Sequence, residues 1–116
     1  MPFDSAGFAE TKVAHSAEIA VLDKMAEILA SPKHWCKGDF RQEKRTWDGV
    51  KYRSYCLIGA LSRAFDVVLP QGSQDDAVYA LRQAADNMYL SEYNDAPATT
   101  HADVLALIAK ARASFS

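Results

Sequence analysis

Residues 54–65 read Ser54-Tyr55-Cys56-Leu57-Ile58-Gly59-Ala60-Leu61-Ser62-Arg63-Ala64-Phe65. Leu57, Ala60, Leu61, Ala64 and Phe65 fall at three- and four-residue steps, so on a helix they form one continuous core-facing stripe. Ser54 or Tyr55 marks the entry. Gly59 inside the run weakens a helix by about 0.8–1 kcal/mol relative to Ala, which predicts close packing against a neighbouring segment.

The same period recurs on both sides. Upstream, Ile19, Leu22, Met25, Ala26 and Leu29 place an apolar stripe on a helix from about Ser16 to Ala30, with Glu18, Asp23, Lys24 and Glu27 on much of the other side. Pro32 stops that helix, because it supplies no N–H and disfavours helical geometry at Ser31. Downstream, Pro70-Gln71-Gly72 reads as a turn and Ser73 as the cap of a third helix, with Asp75 and Asp76 at its positive end. Its stripe is Ala77, Val78, Leu81, Ala84, Ala85 and Met88. Asn94-Asp95-Ala96-Pro97 reads as a polar turn, since Asn and Asp side chains close turns on nearby backbone. Thr100 followed by Asp103 resembles a capping box that opens a fourth helix, whose stripe is Val104, Leu107, Ile108 and Ala111. Lys110 and Arg112 suit its negative end.

Between the first two helices the pattern changes. Phe40 to Thr46 and Val50 to Ser54 flank Asp48-Gly49, a dipeptide suited to the positive backbone angles of a tight hairpin turn. Only the second run alternates, with Val50 and Tyr52 on one face, so the hairpin is expected at an edge or surface. The expectation is an α+β domain, predominantly α-helical. About four amphipathic helices surround one core over residues 15–116, a single β-hairpin at about 39–54 sits on the rim, and residues 1–14 form a flexible arm.

A chain of 116 residues suits one domain, and its 49% hydrophobic and 24% charged content is that of a globular protein. Apolar runs are short, such as Ile19-Ala20-Val21-Leu22, and Met1-Pro2-Phe3-Asp4-Ser5 lacks the basic flank of a signal peptide. No membrane association is expected. With no export signal, Cys36 and Cys56 are expected to stay reduced in the cytoplasm.

Trp35 with Lys37-Gly38, Cys56-Leu57-Ile58-Gly59-Ala60-Leu61, Tyr93-Asn94-Asp95-Ala96-Pro97, and Thr100 with Val104 carry a resemblance. Over about residues 17–112 the chain resembles a family of uncharacterised small proteins of bacteria and their phages. Where this chain has Tyr93, that family usually has Trp. The resemblance implies a single helical domain of this layout and supplies no activity.

Three constellations could carry chemistry. Cys56, in the first turn of its helix, is placed where free N–H groups and the helix dipole favour a thiolate. His101 with Asn94 or Asp95 would complete the logic of a thiol hydrolase. The plain alternative is that Cys56 is a small buried residue and His101 a solvated first-turn residue. His34, Cys36, Cys56 and His101 supply donors suited to zinc, but their spacing matches no established module, so no metal and no cofactor is assigned. His15 lies outside any cluster.

The third is a charge pattern that composition hides. Lys33, Lys37, Arg41, Lys44, Arg45, Lys51 and Arg53 face only Asp39, Glu43 and Asp48, which leaves this segment at +4. Six basic and twelve acidic residues elsewhere carry −6, giving the chain total of −2. Trp35, Phe40, Trp47, Tyr52 and Tyr55 are interleaved with the basic residues. The expected binding set is Trp35, Lys37, Arg41, Lys44, Arg45, Trp47, Lys51 and Arg53, offered to an acidic protein surface or to a second copy of the chain. Nucleic acid is an alternative, since Arg and Lys hold phosphates while rings stack on bases. The plain reading is a strand edge charged against aggregation. Trp47, beside the turn, is the best single pointer to a partner. The reading that follows is a non-enzymatic binding or adaptor protein.

Overall fold

The computed structural model describes residues 16–68 and 75–115. They form five α-helices and one two-stranded antiparallel hairpin, an α+β arrangement dominated by helix. Helix α1 runs over 16–28 and is followed by a 3₁₀ turn at Pro32–His34. The hairpin pairs β1 (Arg41–Arg45) with β2 (Lys51–Tyr55). Helices α2 (Leu57–Val68), α3 (Asp75–Ala84), α4 (Leu90–Asp95) and α5 (His101–Ala113) follow. The expected arm at 1–14, His15, and the Pro70-Gln71-Gly72 turn with its Ser73 cap lie outside the described residues. No described helix is long and apolar enough to cross a membrane.

One core joins the helical stripes. Leu22, Met25 and Leu29 from α1 and its exit meet Leu57, Leu61 and Phe65 of α2, Leu81 of α3, and Val104, Leu107 and Ile108 of α5, all buried. Each such side chain contributes about 1.5–3 kcal/mol by leaving water, so the stripes dominate the local helix preferences. Helix α5 lies antiparallel to α1. At one end His101 Nε2 donates to the Leu29 carbonyl at 2.5 Å, and at the other Arg112 Nε meets Asp23 at 2.6 Å. The Thr100–Asp103 capping box forms in full: Asp103 N–H donates to Thr100 Oγ1 at 3.2 Å, and Thr100 N–H to the Asp103 carboxylate at 2.9 Å.

Three expectations are corrected. Asn94 and Asp95 are not in a turn; they close α4, and the turn begins at Ala96, where Thr99 N–H reaches the Ala96 carbonyl. A six-residue helix offers too few positions for a period to show, which is why the sequence reads as four helices rather than five. The third stripe does not extend to Met88. Asp86 and Asn87 adopt φ of 54° and 67°, and Asn87 N–H returns to the Arg82 carbonyl at 2.8 Å, a C-terminal cap that Asp and Asn tolerate better than other residues. The hairpin turn is also one residue longer than a tight two-residue type. Gly49 N–H bonds Thr46 O at 3.0 Å, Thr46 N–H bonds Val50 O at 2.9 Å, and Gly49 has φ of 89°. This is a type I turn over Trp47 and Asp48 followed by a left-handed Gly49. Thr46 Oγ1 donates to the Asp48 carboxylate and accepts from Val50 N–H, and the first of these bonds holds the Asp48 carboxyl below its usual range.

Gly59 packs as its position in the helix foretells. A Cβ there would lie 1.9 Å from the Phe40 carbonyl oxygen, and that same oxygen accepts the Cys56 N–H at 3.2 Å. The base of the hairpin therefore rests directly on the α2 backbone. Gly59→Ala should raise helix preference by about 1 kcal/mol. The clash is with backbone, however, and should outweigh that gain. The expected outcome is a net loss of about 1–3 kcal/mol in urea unfolding; a stabilised variant would contradict the packing.

Candidate functional site

The hairpin is held at its base by the side chain of Asn94, which is fully buried. Asn94 Oδ1 accepts the Trp35 indole N–H at 2.7 Å and the Leu57 backbone N–H at 3.1 Å. Its Nδ2 donates to the Cys36 carbonyl at 3.0 Å and to the Asp95 carboxylate at 2.9 Å. One carboxamide thus caps the first N–H of α2, seats Trp35, and fixes the loop that enters β1. Asp95 extends the clamp by accepting Gly38 N–H at 2.9 Å, while Lys37 Nζ donates to the Ala96 carbonyl at 2.7 Å. The bonds from Asn94 and then Gly38 hold the Asp95 carboxyl below its usual range. Their stabilising effect is present above the ordinary carboxylate pKa and is lost as pH falls through the depressed one.

This arrangement separates the expected residues into two groups. Trp35 and Lys37 belong to the clamp: Trp35 packs against the core, and the Lys37 ammonium lies 5.5 Å from its ring. Neither is presented outward as a binding surface. Arg41, Lys44, Arg45, Trp47, Lys51 and Arg53 belong to the projecting ribbon, where all are exposed. Trp47 is 99% exposed. Among the described residues Arg41, Lys44, Arg45 and Lys51 form no ion pair, and Arg53 has only a 3.7 Å approach to Glu43. The register stacks Arg41 with Tyr55, Glu43 with Arg53, and Arg45 with Lys51 on one face. Lys44 and Tyr52 share the other, where His34 meets the Tyr52 ring edge-on and Lys33 lies 5.5 Å from it.

A recess of about 640 Å³ opens between the ribbon and α2, lined among others by Asp39, Arg41, Arg53, Ser62, Arg63 and Asp66. Arg63 and Ser62 escape a sequence reading. Their only signal is a place opposite the α2 stripe, and nothing local says that a hairpin base will face them.

Around the thiols, no hydrogen bond joins Cys56 to His101 among the described residues. Cys56 stands at the cap of α2: its carbonyl accepts the Ala60 N–H at 2.8 Å and its Sγ accepts the Gly59 N–H at 3.4 Å. Burial pushes the Cys56 thiol up, outweighing those N–H contacts, so the helix start does not produce the low thiol pKa that its position suggests. Cys36 is raised chiefly by burial and next by Cys56 itself. Both cysteines are free thiols. His101 is engaged elsewhere, with Nε2 on Leu29 and its ring 6.2 Å from that of Trp35. A pocket of about 330 Å³ is lined by Cys56, Ser91 and Asp95 but not by His101. His34 Nδ1 donates to the Arg53 carbonyl at 2.8 Å. Among the described residues no three or more His, Cys, Asp or Glu side chains gather closely enough to hold a metal ion.

Two outcomes are expected. Asn94→Ala leaves the Leu57 and Trp35 N–H groups and the Cys36 carbonyl without their partner, and should cost about 3 kcal/mol or more in urea unfolding. A loss under about 1 kcal/mol would deny Asn94 its central place. Cys56 should alkylate with iodoacetamide at neutral pH more slowly than free cysteine; faster reaction would revive thiol chemistry.

No curated protein and no solved structure matches the chain. Residues 14–114 match the model of a family of unknown function, DUF6197. With nearly its whole length inside that match, the chain belongs to this family of unknown function.

Proposed function

We propose that this is a non-enzymatic binding protein that captures an acidic protein surface through its β-hairpin. The observation that carries the reading is Trp47, an indole 99% exposed at the tip of a ribbon bearing four cations that form no ion pair among the described residues. Leaving so large an apolar group in water contributes nothing to folding, whereas burying it against a partner recovers several kcal/mol. Arg41, Arg45, Lys51 and Arg53 on one face supply attraction and orientation toward an acidic surface. The clamp around Asn94 supports the same reading, because a ribbon fixed at its base loses little freedom on binding. The two free, buried thiols agree with a reducing, cytoplasmic setting. A bacterial or phage origin rests on the family resemblance alone.

A nucleic acid would use the same cations, and salt separates the two readings. Phosphate contacts make affinity fall steeply with ionic strength. An anchor at Trp47 on a protein partner leaves an apolar component that salt does not screen.

In affinity capture from cell extract, the Trp47→Ala, Arg45→Ala double variant should lose the retained protein by about tenfold or more. Cys56→Ala should retain it. Equal capture by the double variant, with its circular dichroism unchanged, would refute the hairpin as the binding element.

A further inference from the structure

We infer that the outer edge of β1 accepts an extended acidic segment of the partner as a third strand. This deepens the hairpin reading and rests on it.

The backbone decides which residues are available. Antiparallel strands alternate between residue pairs that exchange hydrogen bonds and pairs that do not. Thr46 N–H bonds Val50 O, and Cys56 N–H bonds Phe40 O, so the even-numbered residues of β1 spend their backbone groups on β2. The N–H and C=O groups of Arg41, Glu43 and Arg45 therefore point away from β2. The same alternation on β2 turns Arg53 and Tyr55 outward, and their carbonyls are indeed taken by His34 Nδ1 and Cys36 N–H. That edge of the hairpin is covered. Among the described residues nothing pairs with the outer edge of β1, and the sheet they form has two strands. A row of unpaired strand groups is a template for another extended chain.

Side chains decide what that chain carries. Arg41, Glu43 and Arg45 are all exposed and share one face, reading plus, minus, plus at two-residue steps. A second copy pairing about a two-fold axis at Glu43 would set Glu43 against Glu43 and Arg41 against Arg45. Directly opposed like charges are destabilising, so a copy in that register is disfavoured. The complementary strand carries an acid, a cation and an acid at alternate positions, spanning about 14 Å. Trp47 lies just beyond Arg45 at the tip, placed to cover an apolar residue past the strand's end.

The test uses the full chain labelled with nitrogen-15 and a blocked seven-residue peptide with glutamate at positions two and six, lysine at four and threonine elsewhere. Saturable shifts and slowed hydrogen exchange are expected at the Arg41, Glu43 and Arg45 amides. Methylating the peptide backbone nitrogens at positions two, four and six should weaken binding by about tenfold or more. The variant Glu43→Lys should instead prefer a peptide with glutamate at position four. If the methylated peptide binds equally well, or the shifts gather at Trp47 while the three amides exchange as before, strand addition is wrong although the hairpin still binds. Absence of binding at about 1 mM overturns strand addition as well. The Trp47 capture experiment then judges the hairpin reading independently.

Discussion

The carboxamide of Asn94 is the constraint on which the arrangement depends. It is fully buried and reaches the indole of Trp35, the first N–H of α2, the Cys36 carbonyl and the Asp95 carboxylate. Three segments far apart in sequence meet at one side chain with both donors and both acceptor sites in use. An apolar residue of that volume would leave the Trp35 and Leu57 N–H groups and the Cys36 carbonyl without their partner, at about 1–3 kcal/mol apiece. Aspartate would keep the acceptors but lose the donors and bury a charge. Amide geometry is what the junction requires.

From that junction the hairpin takes its position. A two-stranded ribbon is marginal alone in water, so its order must come from its root. Here the root is extensive: Phe40 O receives Cys56 N–H and sits on Gly59, Tyr55 O receives Cys36 N–H, and Arg53 O receives His34. These contacts involve the near halves of both strands. Arg45, Trp47 and Lys51, at the far end, are exposed, with Arg45 paired to Lys51 beside the turn.

The fold was largely legible because it is written in periods. The stripes at Leu57–Phe65 and Val104–Ala111 and the Thr100–Asp103 cap are local signals that tertiary structure had only to satisfy. What escaped were features made by distant parts of the chain. Asn94 looked like a turn former because its type often is one. Its burial is set by Trp35 and Leu57, about sixty and about forty residues away, and no spacing rule connects them. Cys56 misled for a related reason: the helix start was real, but the cost of burying a thiolate outweighed it. Trp35 and Lys37 joined the binding set through shared composition with the ribbon, and only the clamp at Asn94 and Ala96 separates them from it.

The division between root and tip bears on how the tip's composition should be understood. Charges on an edge strand can be explained as protection against aggregation, and Arg41, Lys44 and Arg45 satisfy that account. The account does not extend to Trp47. Protection calls for a polar tip, and a type I turn tolerates almost any polar residue at its first central position. An indole there works against solubility, and it packs on nothing that would return the cost. A ribbon selected only to be left alone would not end in tryptophan. The proposed binding role accounts for the cations and the indole together, with the charges choosing and orienting a partner while the ring is buried.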